Sequence, residues 1–242
     1  MTTEYAPLSV AQRKTGAADS CWSRLYKVGA AAALLSALFF PIQIIVFIVS
    51  PPPSTVLGWF ELLQANKLIG LVDLDLLLVV DQVLAVLIFL ALYAALRKTD
   101  ESLTVIGFAL CLVSAALFIA SNPAIAMLSL SNQFAVAGTQ AQRAAFLSAG
   151  QAMLAIYQGS AFQVSYLIGS IGAIILSVVM LKSPVFGKGA AYLGILANAI
   201  ALGLYVPKIG VYISVFSVLF LWAWYILIAR DLFRFGQSRG DR

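Results

Sequence analysis

The segment LVDLDLLLVVDQVLAVLI (residues 71–88) carries Asp73, Asp75 and Asp81 in a stretch otherwise suited to lipid. An ionised carboxylate is costly in hydrocarbon, so one held there marks a polar clasp, an ion or proton path, or a ligand contact. Depth separates the three. A helix needs about 20 residues to cross the hydrocarbon, and counting back from the anchor Arg97 puts the embedded part near 77–96. Asp73 and Asp75 then fall at or above the outer interface. Two positions apart on a helix, they also point to nearly opposite sides. Their expected roles are capping, pairing with Lys67 or Arg143, or contact with water. Asp81 lies about 6 Å inside the boundary at helical rise, with Gln82 beside it. It is expected to face the bundle interior, where it is protonated, hydrogen-bonded, or paired with Arg143 or Lys208.

Other polar side chains fall near the same depth. Asn122 sits where an apolar run is interrupted, Gln163 and Tyr166 are at helical spacing, and Asn198 is mid-span. Together with Asp81, Gln82 and Arg143 they form the candidate lining of a polar pocket in the outer half of the protein, for a small molecule or ion of unknown identity. Taken singly, each is more often a helix–helix hydrogen bond than a site.

Several chemistries are excluded or left without residues. Histidine is absent, so no bis-His haem, His-ligated zinc or His-activated nucleophile can be built. There is no P-loop, dinucleotide fingerprint or G-x-S-x-G elbow. No cofactor is expected, and the sequence leans away from an enzyme. The remaining enzymatic reading is a lipid-modifying one with Asp81 as base. Cys21 and Cys111 are too few for a disulfide framework, and Cys111 falls mid-span as a small packing residue. The net charge of +5 does not imply nucleic acid, because the basic residues stand at the ends of apolar runs.

The elements that position these residues are transmembrane helices. Of 242 residues, 62% are hydrophobic and 10% charged, far from the quarter charged that a water-soluble domain carries. Mean hydropathy is +0.98. The apolar runs predict an all-α polytopic bundle of six spans, about 25–50, 72–97, 103–123, 160–181, 189–206 and 209–229. These form one domain over 24–236, between a flexible tail at 1–23 and a short one at 237–242. Pro41 is a potential bend, and Pro51-Pro52-Pro53 a stop. Thr55–Asn66 reads as an interfacial helix with Trp59 and Phe60 at headgroup level. Thr99 is the expected N-cap of the third span, and Thr139 with Gln142 fits a capping box. The long semi-apolar excursions at 51–69 and 124–158 predict amphipathic cap segments over the outer ends.

Twelve of the fifteen Lys and Arg fall on one side of this arrangement, leaving Lys67, Arg143 and Lys208 on the other. The bias predicts both termini in the cytoplasm. Gly169 with Ala173, and Gly194 with Ala197, form small-residue faces for close helix packing, within the chain, with a second copy, or with a partner membrane protein. Docking of such a partner is the structural alternative to ligand binding. Trp222, Trp224 and Tyr225 read as interfacial belt residues, and the tail after them as a segment for anionic lipid.

The runs SNPAIAMLSLSNQFA, AFQVSYLIGSIGAIILSVVMLKS and AYLGILANAIALGLYVPKIGVYISVFSVLFLWAWYILIARDLF resemble a bacterial family of six-span membrane proteins catalogued as a domain of unknown function. The resemblance covers about residues 25–236 and is strongest from Ser121 onward. It implies the six-span fold and a bacterial plasma-membrane location, and it transfers no activity, ligand or site residue.

Overall fold

The computed structural model describes residues 10–240, and the regular elements among them are all helical. They are α1 (Val10–Val49), α2 (Val56–Ala65), α3 (Lys67–Asp73), α4 (Leu76–Leu96), α5 (Glu101–Ser121), α6 (Ala124–Ala135), α7 (Gln140–Tyr157), α8 (Ser160–Lys182), α9 (Lys188–Ala201) with a 3₁₀ turn at Leu202–Tyr205, and α10 (Gly210–Gly240). Among the described residues, six segments are long and apolar enough to cross a membrane: Trp22–Val49, Leu76–Leu96, Glu101–Ala135, Gln140–Lys182, Lys188–Tyr205 and Tyr212–Ser238. The protein is an all-α, multi-pass membrane protein. Its first helix is longer than the expected span, since the backbone is helical from Val10. Residues 1–9, the side chains of Arg13, Lys14, Cys21 and Arg239, and Arg242 lie outside the description.

Helix α1 packs on α4 and α10, α5 on α8, and α9 against α8 and α10. Water does not drive these contacts inside a bilayer, so close approach and van der Waals packing must. The α5–α8 pair shows how. A Cβ on Gly172 would stand 2.8 Å from the Gly107 carbonyl oxygen and 2.8 Å from Cys111 Sγ, so only glycine admits this spacing. On α1, Leu34, Leu38, Ile42, Ile45 and Ile48 are exposed while Ala30, Ala33 and Ala37 are buried. That helical stripe faces lipid with its large residues and α4 and α10 with its small ones. Pro41 remains inside an unbroken α1.

Helices α2, α3, α6 and α7 gather at the end of the bundle away from the termini, around a second core of Val56, Trp59, Phe60, Leu63, Leu74, Ala124 and Met127. Trp59 and Phe60 are 5% and 1% exposed, so they fill this core rather than a headgroup layer. The apolar face of α2 is covered by α6 and α7 instead of lipid. Thr55 caps α2 through Gly58 N, and the Thr139/Gln142 capping box starts α7. The N-cap of α5 is Asp100 rather than Thr99, with its carboxylate accepting from Leu103 N at 3.1 Å. An anion is favoured there by both the free N–H groups and the helix dipole.

At the opposite end, Ser23 Oγ donates to the Gly236 carbonyl at 2.8 Å, and Arg97 lies 4.7 Å over the Trp22 ring. The two terminal helices and the α4–α5 link therefore meet. Helix α10 continues to Gly240, with Leu232 fully buried and Phe235 4.8 Å from Tyr26. The segment expected to lie on lipid is instead an extension of the bundle. Trp224 and Tyr225 are likewise buried, at 1% and 5% exposure. They continue the inward stripe of Ser217, Leu221 and Ile228, and only Trp222 faces outward.

Candidate functional site

The three aspartates of the second span are all buried, at 2%, 8% and 5% exposure for Asp73, Asp75 and Asp81. For the first two this corrects the expectation of a wet rim. Helix α3 ends at Asp73, Asp75 adopts a left-handed conformation with φ 60°, and α4 restarts at Leu76. Aspartate tolerates that region better than most residues. The 100° per residue relation does not carry across the break, so both carboxylates turn inward. Ser50 Oγ donates to Asp73 Oδ2 at 3.3 Å, and Tyr157 OH donates to Asp75 Oδ2. Burial pushes both carboxyls above their ordinary values, Asp75 to about 6; the Tyr157 hydroxyl pulls the Asp75 value down and the neighbouring Asp73 charge adds to it. Lys67 is exposed, and Arg143 stacks 5.7 Å from the Phe134 ring and donates Nε to the Ala137 carbonyl, so neither neutralises these acids.

Asp81 lies roughly one and a half turns into α4, as its depth predicts, and faces inward. Its expected cation partners do not reach it. Arg143 is held in the cap, and Lys208 is exposed in the corner before α10. Ser36 of α1 faces the carboxylate, yet Asp81 Oδ1 and Ser36 Oγ are both without a hydrogen-bond partner. Tyr225 stands within electrostatic reach from α10.

Asp81 is one of the residues that line a cavity of about 240 Å³. On α4 the lining runs from Leu78 to Phe89, about 16 Å of helix at 1.5 Å per residue. The space therefore extends from just below the cap to mid-bundle. Its wall is largely apolar and aromatic, with polar groups contributed by different helices: Gln82 on α4, Ser114 on α5, Ser165, Tyr166 and Ser170 on α8, Asn198 on α9 and Ser217 on α10. Several of these are already engaged. Tyr166 OH is bonded to Ser214, Ser114 donates to the Ser165 carbonyl at 2.7 Å, and Asn198 Nδ2 donates to the Gly194 carbonyl at 2.8 Å. The Trp224 indole N–H, also in the wall, has no acceptor.

Of the residues expected to converge, Asp81, Gln82, Tyr166 and Asn198 do so. Asn122 does not: its Nδ2 donates to the Leu74 carbonyl at 2.7 Å and its Oδ1 accepts from Ala124 N at 3.0 Å, joining the end of α5 to the α3–α4 break. Gln163 stands in the first turn of α8, where its backbone carbonyl accepts from Tyr205 OH at 2.7 Å. Arg143 belongs to the cap. The packing residues Gly169, Ala173 and Ala197 border the cavity themselves. Gly194 is buried between α8 and α10, where a Cβ would collide with Ser177 Oγ and the Trp224 indole. That face is occupied within the chain.

Ser36, Phe40, Trp224 and Tyr225 were not expected at the site. A lone serine in AAAALLSALFF was the available signal for Ser36. Trp224 and Tyr225 were masked by their position near a span end, where a belt role is the ordinary one.

Among the described residues no group of three or more His, Cys, Asp or Glu is placed to hold a metal ion. Comparison with protein-family models, with curated proteins and with solved structures gave no match.

Proposed function

We propose that this protein binds a small molecule or ion in the cavity beneath its cap, with Asp81 as the anchoring group and no covalent chemistry. The observation that carries this reading is the unpartnered Oδ1 of Asp81, buried in the wall of a cavity large enough for a ligand. A buried acceptor left unmade costs about 1–3 kcal/mol, more when charged. A clasp would have closed that bond, whereas a binding group keeps it open until its partner arrives. The position below the cap suits uptake or release at the outer face, and transport follows if the cavity also opens toward the other side. The termini and their basic residues lie in the cytoplasm on this reading, and the membrane is a bacterial plasma membrane, as the family resemblance implies. Partner docking through small-residue faces is the weaker reading, since Gly194, Ala197 and Ala173 are buried in the monomer.

Thermal stabilisation of the purified protein by a library of small polar and ionic compounds tests the proposal, because selective binding to the folded state raises apparent stability. Compounds that stabilise the wild type but not Asp81→Asn support it. A library without hits, or hits indifferent to Asp81→Asn, contradicts it.

A further inference from the structure

The chemistry around Asp81 narrows the ligand class. A hard metal ion takes six or more oxygen ligands, or keeps its waters in a polar cage. The wall does not supply such a cage: its polar groups are spread over five helices and several are already bonded, among apolar residues such as Leu78 and Ala85 and aromatic rings. The Phe40 and Tyr225 rings lie 5.5 Å apart at 40°, and the Trp224 ring lies 5.5 Å from that of Tyr225. All three border the cavity. One carboxylate with an unpartnered oxygen, in a wall that also carries these three rings, suits a weakly hydrated cation, which gains a charge partner and ring quadrupoles without needing a full oxygen shell. We infer that the ligand is a small organic cation, an ammonium or quaternary ammonium group seated between Asp81 and the Phe40–Tyr225 ring pair. This rests on the reading of the cavity as a binding site.

The test uses the full chain purified in a non-ionic detergent, with tetramethylammonium chloride, sodium chloride and tert-butyl alcohol as probes. The first and last are similar in size and differ in charge. Apparent Tm and tryptophan fluorescence are followed against concentration, Trp224 being in the wall. The expected result is saturable stabilisation by tetramethylammonium at concentrations where sodium chloride and tert-butyl alcohol have little effect. Asp81→Asn should weaken the response by about tenfold or more, the equivalent of one modest charge interaction. Phe40→Leu keeps the carboxylate and an apolar wall, and should weaken it by roughly threefold or more; it serves as the second variant if Asp81→Asn folds poorly. Equal stabilisation by tert-butyl alcohol, unchanged in both variants, would overturn the cation inference and leave a binding cavity. A response to sodium chloride alone would also overturn it, in favour of an inorganic ion. No response to any probe, with no hit from the compound library, would overturn both readings.

Discussion

The cap and the bundle treat their buried polar groups differently. In the cap, Ser131 Oγ donates to the Phe60 carbonyl, Gln64 Nε2 reaches Ser131 and Asn132, and Asn122 bonds both Leu74 and Ala124. In the bundle, Ser36 Oγ, Asp81 Oδ1, Ser177 Oγ and Trp224 Nε1 are buried without partners. Two more such atoms, Gln43 Oε1 and Asp73 Oδ1, lie at the junction between the regions. The apolar bundle has the less forgiving interior for an unmade bond, yet it is where they collect. Burial of a carboxylate is therefore not the mark of a site in this protein, since Asp75 is buried and bonded. On the proposed reading the mark is an unpartnered carboxylate oxygen on a residue that lines a cavity, and Asp81 has it.

That contrast can be broken at several points. The largest effect is expected from Gly194→Leu, whose side chain would have to displace Ser177 and the Trp224 indole. Overpacking of this kind costs about 3 kcal/mol or more, so detergent melts should show a large fall in Tm or loss of folded protein. Unchanged folding with lost self-association would restore the partner-docking reading. Tyr157→Phe comes next. It strips Asp75 of its hydroxyl partner and should destabilise by about 1–3 kcal/mol, with faster hydrogen exchange in α7 than in the α5–α8 pair. Uniform exchange changes would mean that cap and bundle do not respond separately.

A smaller effect is expected with pH. Asp75 rises from its ordinary 3.8 to about 6 mainly through burial, so the folded cap binds its proton more tightly than the unfolded chain does. The resulting stabilisation is fully present below about pH 4 and is lost as pH rises through 6. Cap-specific hydrogen exchange, corrected for intrinsic rates, should accelerate across that window, and Asp75→Asn should flatten the dependence. Smallest of all is Arg143→Ala, an exposed side chain whose removal should shift stability by no more than about 0.5 kcal/mol. A large loss there would revive Arg143 as a charge partner.

The six spans were legible because their length and composition leave no other solution in a bilayer. The Thr139 capping box and the Asn122-Pro123 break were legible because they are local. Asp81 was legible by depth alone, from its distance to Arg97. The inward turn of Asp73 and Asp75 was not. It depends on a helix break with no glycine or proline to announce it, and on Ser50 and Tyr157, the latter 82 positions away in sequence. The cavity was partly hidden for the same reason: its wall is assembled from six helices, and no local pattern sets their register. The cap core was missed because an amphipathic helix has the same periodicity whether its apolar face meets lipid or another helix.

The most direct test needs no ligand. Thermal stability of ligand-free Asp81→Asn, compared with wild type at one neutral pH and in one detergent, separates a clasp from a site. An unpaired buried carboxylate held for binding is a net cost in the empty protein. Asp81→Asn should therefore raise Tm, by about 2–4 °C for each kcal/mol relieved in a chain of this size. A fall of similar size would show that Asp81 holds the helices together, and would contradict the assignment of the cavity as a binding site.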